Sequence, residues 1–215
     1  MRNYDCVIFD IDGTIVSTIQ LIYDSMNFVA DKYSGRIYTP EELTDMFGPT
    51  EEFILKNLFG KEFKKAEEDY FRFYSENHSK YVTVFPQIKE IITDLKKKNI
   101  HLAIFTGKGR RSTLITLDKT GFNGMFEYII TGDDVVNHKP DSEGILKILD
   151  YFKVSKNRTL MIGDSDQDVI AAKSAGIKVM SVLWDSFSIE KIKKLNPDFL
   201  CDDTGSLKFF LQKNL

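Results

Sequence analysis

The chain has 215 residues, 42% hydrophobic and 28% charged, the proportions of an ordinary globular protein. A net charge of -3 and a pI near 5.7 give no electrostatic footprint for nucleic acid, and no apolar run is long enough to span a bilayer. Two cysteines, Cys6 and Cys201, cannot form a disulfide framework. With no signal-peptide pattern at the start, the expected location is the reducing cytoplasm.

The first element is a short apolar run, Cys6 to Phe9, whose β-branched and aromatic content suits a strand buried on both faces. Asp10 and Asp12 follow at once, and Gly13-Thr14 breaks the strand. Alone, this Asp-Gly step reads as turn chemistry. An open α/β sheet, however, builds its ligand site beyond the carboxyl ends of its strands, where these acids fall.

From about Ser17 to Tyr81 the pattern is helical. Ile19, Ile22, Tyr23, Met26 and Val29 or Ala30 recur at helical spacing, a stripe that reads as core. Thr39-Pro40-Glu41-Glu42 predicts a helix start, with Thr39 as N-cap and Glu42 closing a capping box. Gly48-Pro49 punctuates before an apolar helical segment through Phe53, Ile54 and Leu58. A longer helix runs from Phe63 to about His78. Such a succession predicts a small helical bundle, with hinges near Ile15–Ser17 and Thr83–Pro86.

Beyond Phe85-Pro86, strands and helices alternate. Helices are expected over Ile88–Lys98 and near Ser112–Lys119, after a cap at Asp141-Ser142, through Val169 to a stop at Gly176, and over Leu207–Leu211. Strands are expected at His101–Phe105, Tyr128–Ile130, Thr159–Ile162, Ile177–Val182 and Phe199-Leu200. The fold class is therefore α/β, a doubly wound parallel sheet with right-handed crossovers, interrupted by the helical insertion. The expected boundaries are 1–15 with 84–215 for the α/β core and 16–83 for the helical domain.

The residues just past each core strand carry the chemistry. Asp10 and Asp12 follow the first strand, Thr106-Gly107 the second, and Asp164 and Asp168 the fourth, with Lys139 in the third region. Carboxylates gathered at one sheet edge repel one another unless a cation intervenes, and an all-oxygen set without His or Cys suits Mg²⁺. A hydroxyl, a glycine amide and a lysine suit a phosphate. Together they point to phosphoryl transfer. Asp166 reads as a capping residue, Asp133 and Asp134 as helix-start or loop acids, His138 as a loop residue and Trp184 as packing. His78 and His101 have no partner at catalytic spacing.

Phe9-Asp10-Ile11-Asp12-Gly13-Thr14, Phe105-Thr106-Gly107, Lys139-Pro140 and Gly163-Asp164-Ser165-Asp166-Gln167-Asp168 resemble, in order and spacing, the four motifs of the haloacid dehalogenase-like hydrolase superfamily, in its phosphatase branch. The insertion is similar to the helical cap of the phosphoglycolate phosphatase and β-phosphoglucomutase-like group. The resemblance implies that Asp10 is the nucleophile, forming an aspartyl-phosphate, and that Asp12 is the general acid and base. It also implies Mg²⁺ held by the Asp10 carboxylate, the Asp12 backbone carbonyl and the Asp164 carboxylate. Asp168 would be an outer-shell partner or orient Lys139, while Thr106, Gly107 and Lys139 would hold the phosphoryl oxygens.

Three positions depart from the family pattern. Ser17 stands where an acid is usual, Gly107 where asparagine is common, and Asp185 where a glycine commonly follows the tryptophan. The implied activity is Mg²⁺-dependent hydrolysis of a small phosphomonoester, the expected partner being a small phosphorylated metabolite rather than nucleic acid or membrane. A phosphosugar mutase and an inorganic pyrophosphatase are alternatives on the same scaffold. A receiver-type signalling module and a non-catalytic phosphate-binding protein stand further off. Specificity is expected from the insertion, around Phe47-Gly48. Oligomeric state is left open.

Overall fold

A computed structural model describes residues 3–215. Cys6–Phe9 (β1) is followed by the two-residue strand Val16–Ser17 (β2), then by helices Ile19–Ser34 (α1), Pro40–Thr44 (α2), Glu51–Phe59 (α3) and Phe63–Tyr81 (α4). Thr83–Val84 (β3) closes this segment. Next come Ile88–Lys97 (α5), His101–Phe105 (β4), Arg110–Thr120 (α6), Tyr128–Ile130 (β5) and Glu143–Phe152 (α7). The remaining elements are Thr159–Gly163 (β6), Asp166–Ala175 (α8), Lys178–Val182 (β7), Ile189–Leu195 (α9), Phe199–Cys201 (β8) and Thr204–Asn214 (α10).

Six strands form a parallel sheet in the order β5-β4-β1-β6-β7-β8. Side chains alternate faces along a strand, and β1 shows why it sits at the centre. Val7 and Phe9 enter one apolar cluster with Ile88, Ile92, Leu117 and Leu207. Cys6 and Ile8 enter the other with Ile145, Ile148, Val169 and Ile192. Helices therefore cover both faces, α5, α6 and α10 on one and α7, α8 and α9 on the other. The chain passes from β1 to one side of the sheet and later returns to the other, so the ligand crevice of such folds lies outside the end of β1.

The insertion has its own apolar cluster, built from Leu21, Met26, Val29, Leu43, Leu55, Tyr70 and Tyr74. Its sequence signals are local ones. Thr39 and Glu42 form the expected capping box, with Pro40 in the first turn. The chain enters and leaves this layer through the antiparallel pair β2–β3, Val16 facing Val84 and Ser17 facing Thr83. That pair occupies the expected hinge segments but is too short for the sequence pattern to reveal.

Other boundaries shift by a few residues. Helix α6 begins at Arg110 and α10 at Thr204, earlier than periodicity indicates, because their first turns are polar. Helix α9 was not expected, although Ile189, Ile192 and Leu195 do recur at helical spacing. Gly176 ends α8 in the left-handed region as expected. Both cysteines are buried free thiols, and no helix among the described residues is long and apolar enough to cross a membrane.

Candidate active site

Strand β1 ends by delivering Asp10, whose amide donates to the Ile162 carbonyl of β6 at 2.9 Å. Two glycines make room for the acids. Gly13 has φ +78°, and a Cβ there would lie 2.2 Å from an Asp164 oxygen; one on Gly163 would lie 2.4 Å from the Asp168 carboxyl carbon. The chain must approach these carboxylates more closely than any other residue would permit.

Lys139, Asp10, Asp164 and Asp168 meet beneath the crevice. The Lys139 ammonium donates to Asp10 Oδ1 at 2.8 Å and to Asp168 Oδ1 at 2.6 Å. Carboxylate oxygens of Asp10, Asp164 and Asp168 all lie within 4.8 Å of one another, and all three residues are buried. Burial pushes the Asp10 carboxyl up to about 7, against the pull of Lys139, with Asp168 and Asp12 adding to the rise. Burial and then Asp10 hold Asp164 well above the ordinary carboxylate range. Burial opposes the Lys139 charge, but Asp10 and Asp168 outweigh it and raise its pKa. Three desolvated acids with one ammonium between them form a set short of positive charge.

Asp168 is committed on both oxygens. Besides Lys139 it accepts from the Ser165 amide at 3.1 Å and from the Ser165 hydroxyl at 2.7 Å. These bonds tie Asp168 directly to Lys139 and to Ser165. They also correct the reading of α8, because its N-cap is Ser165 with Asp168 closing the capping box. Asp166, expected to cap, instead sits in the first turn and lines the crevice. Asp164 accepts from the Thr14 hydroxyl at 2.8 Å.

Thr106 and Gly107 follow β4 as expected and line the same crevice as Asp10. The Thr106 hydroxyl accepts from the Lys108 amide at 3.3 Å. Asp12 points to the insertion side. It accepts from Thr18 at the start of α1 and from the Lys108 ammonium at 3.2 Å. Thr18 is the N-cap position of α1, and its hydroxyl serves Asp12 instead of the helix.

Two residues of this region lie beyond the sequence reading. The Lys108 side chain is only 1% exposed, 3.6 Å from Glu51 Oε1 and 5.0 Å from the Tyr74 ring centre. Burial works against its charge, yet Asp12, Tyr74 and Glu51 keep its pKa well above the ordinary value. Glu51, in the first turn of α3, crosses to the core and accepts from the Gly109 amide at 2.7 Å and from the Ser112 hydroxyl. The available signal for Lys108 was its position between two glycines, two residues past the motif threonine. Glu51 gave no such signal, since its partners lie some sixty positions away.

Two of the departures from the family pattern lie near each other: burial raises the Asp185 carboxyl above its ordinary range, and Ser17 pulls against that rise. Most of the remaining expectations hold in simpler ways. Asp134 closes a capping box on Thr131 and Asp133 accepts from the Arg110 amide. Ser142 is the N-cap position of α7, where Asp141 accepts the Glu143 amide at 2.8 Å. Trp184 packs near Phe85, ring centres 5.9 Å apart. His78 is buried beside Thr116, whereas His101 stacks on Phe152 and, against expectation, has an acid partner, Glu127 at 3.1 Å, outside the crevice lining.

Above the acids lies a cavity of about 380 Å³, walled by both layers. Phe47 and Gly48 are among the residues that line it.

A family model described as haloacid dehalogenase-like hydrolase matches residues 7–182. Pyrophosphatase PpaX of Bacillus mycoides is 29% identical over 205 residues, covering 94% of both chains. A Caldanaerobacter subterraneus relative, provisionally given the same name, is 32% identical over 201 residues, covering 94% of this chain and 91% of its own. Among solved structures, a predicted phosphoglycolate phosphatase from Haemophilus somnus superposes with a TM-score of 0.86 at 22% identity, covering 98% of this chain and 99% of that one. A β-phosphoglucomutase from Clostridium difficile gives 0.80 at 21%, covering 98% and 96%. These two likenesses are of fold.

Proposed function

Because this chain belongs to the haloacid dehalogenase-like hydrolases, in their phosphatase branch, we propose that it is a Mg²⁺-dependent phosphatase of small phosphomonoesters, acting through an aspartyl-phosphate on Asp10. The observation that carries this reading is the Lys139 ammonium bridging Asp10 and Asp168, with Asp164 alongside, at the floor of a closed-over cavity. A bare turn of solvated acids would have no reason to bury a lysine among them.

The donor set fits a hard divalent cation: it is all oxygen, buried, and short of positive charge. Asp10, the Asp12 carbonyl and Asp164 would hold Mg²⁺, with Asp168 kept back by its bonds to Lys139 and Ser165. Bound there, the ion would neutralise charge on the transferring phosphoryl group.

The chain's own residues supply the rest. An Asp10 oxygen attacks phosphorus and the bond to the leaving oxygen breaks, while Asp12 gives that oxygen its proton. Asp12 then takes a proton from water as the water attacks the phosphorus of the aspartyl-phosphate, releasing phosphate and restoring Asp10. Lys139, the Thr106 hydroxyl and the Gly107 amide supply positive charge and donors to the phosphoryl oxygens throughout. Residues 16–83 form the cap, hinged at β2–β3, that keeps water out until the ester is seated. The substrate-bearing partner is thus a small phosphorylated metabolite, and the two free thiols support a cytoplasmic location.

Inorganic pyrophosphate is a second reading, favoured by the names of the curated relatives. Phosphate release from a panel of monoesters and pyrophosphate, with Mg²⁺ and then with EDTA, tests the proposal. Release should stop with the chelator and return with added Mg²⁺. Release that ignores EDTA would remove the metal, and no release from any compound would sink the phosphatase reading.

A further inference from the structure

The cavity above the acids divides sharply by chemistry. Its floor is polar and charged, but its cap wall is built from Ile22, Met26, Leu43, Met46, Phe47 and Ile54. The polar side chains that the cap sets into the cavity are already partnered: Thr44 bonds Tyr23 and the Pro40 carbonyl, Thr18 bonds Asp12, and Glu51 bonds Gly109 and Ser112. Whatever hangs beyond the transferred phosphoryl therefore meets hydrocarbon, and a charged group left there would lose its hydration without a partner.

The charges around the cavity point the same way. Its lining carries six carboxylates, Asp10, Asp12, Glu51, Asp164, Asp166 and Asp185, against three lysines. Lys139 is committed to Asp10 and Asp168, and Lys108 to Asp12 and Glu51. The third, Lys191, is exposed and lies 4.0 Å from Asp166. Even with one divalent cation bound, the positive charge stays below that of the six carboxylates, so none is left over for a second anion.

Glu51 is the residue that closes the remaining opportunity. Lys108, with the Gly109 amide and the Ser112 hydroxyl beside it, would suit a carboxylate or phosphate on the leaving group. The chain fills that position with its own carboxylate, carried in on the cap. A Cβ on Gly109 would lie 2.6 Å from Glu51 Oε2, so the fit is close.

We propose that the site selects phosphomonoesters with an uncharged, apolar leaving group, and that Glu51 is the specificity-determining residue that excludes a second anion. The inference rests on the phosphatase reading and narrows it, placing pyrophosphate and phosphoglycolate among poor substrates.

The test measures kcat/KM by phosphate release, with the full chain and Mg²⁺, on phenyl phosphate, butyl phosphate, phosphoglycolate and pyrophosphate. Phenyl and butyl phosphate should exceed the two doubly anionic compounds by tenfold or more. Glu51→Gln should narrow that gap at least fivefold, chiefly through a lower KM for phosphoglycolate and pyrophosphate. If the unaltered protein prefers either of these, the inference falls while the phosphatase reading stands; this arm decides even if the variant fails to fold. A folded Glu51→Gln protein whose activities fall in equal proportion on all four compounds would also overturn it. No release from any of them overturns both.

Discussion

The floor and the roof of the cleft each contain a buried lysine between two carboxylates, and the two are built differently. Lys139 bridges Asp10 and Asp168, all three supplied by the α/β core. Lys108 lies between Asp12, from the core, and Glu51, from the cap. The floor is complete within one layer, so its geometry does not depend on where the cap stands. The roof exists only when two layers meet. Separating them pulls Glu51 from Lys108, Gly109 and Ser112, leaving the buried ammonium with Asp12 alone. On the proposed mechanism, one lysine would belong to chemistry that must be ready before the substrate arrives, and the other to an arrangement that forms around it.

The largest expected effect is on the floor. Asp10→Asn should lower turnover by about a thousandfold or more, because it removes the proposed nucleophile while retaining the side-chain shape. Near-normal activity in that variant, with circular dichroism unchanged, would end the mechanism. Lys139→Met should lower kcat by about a hundredfold, the scale for losing one preorganised positive group. Added Mg²⁺ should also raise the melting temperature of this variant, since Asp10 and Asp164 are left underbalanced.

On the roof, Lys108→Met should cost stability, on the order of 3 kcal/mol, because Glu51 and Asp12 lose the cation between them. Thermal unfolding would show this as a fall of several degrees. Mg²⁺ should not restore it, and equal rescue of both lysine variants would erase the distinction between the two regions.

A smaller effect concerns His78, buried on α4 beside Thr116. Burial, then Lys108 and Lys119, lower its pKa from 6.5 to about 4. The unfolded chain therefore binds more protons between those values, so stability is complete above about 6.5 and declines as pH falls towards 4. The expected loss from this group is on the order of 2 kcal/mol. Denaturant melts across that range should flatten in His78→Gln, and an unchanged slope would count against the shift. Smallest is Phe47→Ala, which removes a ring stacked near Tyr23, centres 6.2 Å apart. It should raise KM about fivefold with kcat nearly constant.

How far the sequence foretells these two regions follows from how each is encoded. Asp10, Thr106 and Asp164 stand at strand ends, and a strand announces itself by a short apolar run followed by glycine or acid. Asp168, in the first turn of α8, and Lys139, in the loop beyond β5, were placed by family resemblance. The Thr39–Glu42 capping box and the Gly176 stop are equally local. The roof is encoded by meetings between distant residues. Glu51 looks like any acid in a first helical turn, and only the fold shows it reaching Ser112. Asp166 misled for a related reason: three acids and a serine compete for one helix start, and side-chain geometry gives the cap to Ser165. Strands of two residues, such as β2 and β3, have no period to detect.

The β2–β3 ribbon has an evolutionary consequence. Val16 lies opposite Val84 and Ser17 opposite Thr83, so the chain departs and returns through a single doorway. The segment between carries its own apolar core. A unit joined in this way can be exchanged for a different one, or reshaped by drift, without altering a hydrogen bond of the six-stranded sheet. Selection can thus revise which substrate is admitted while the α/β core beneath is inherited intact.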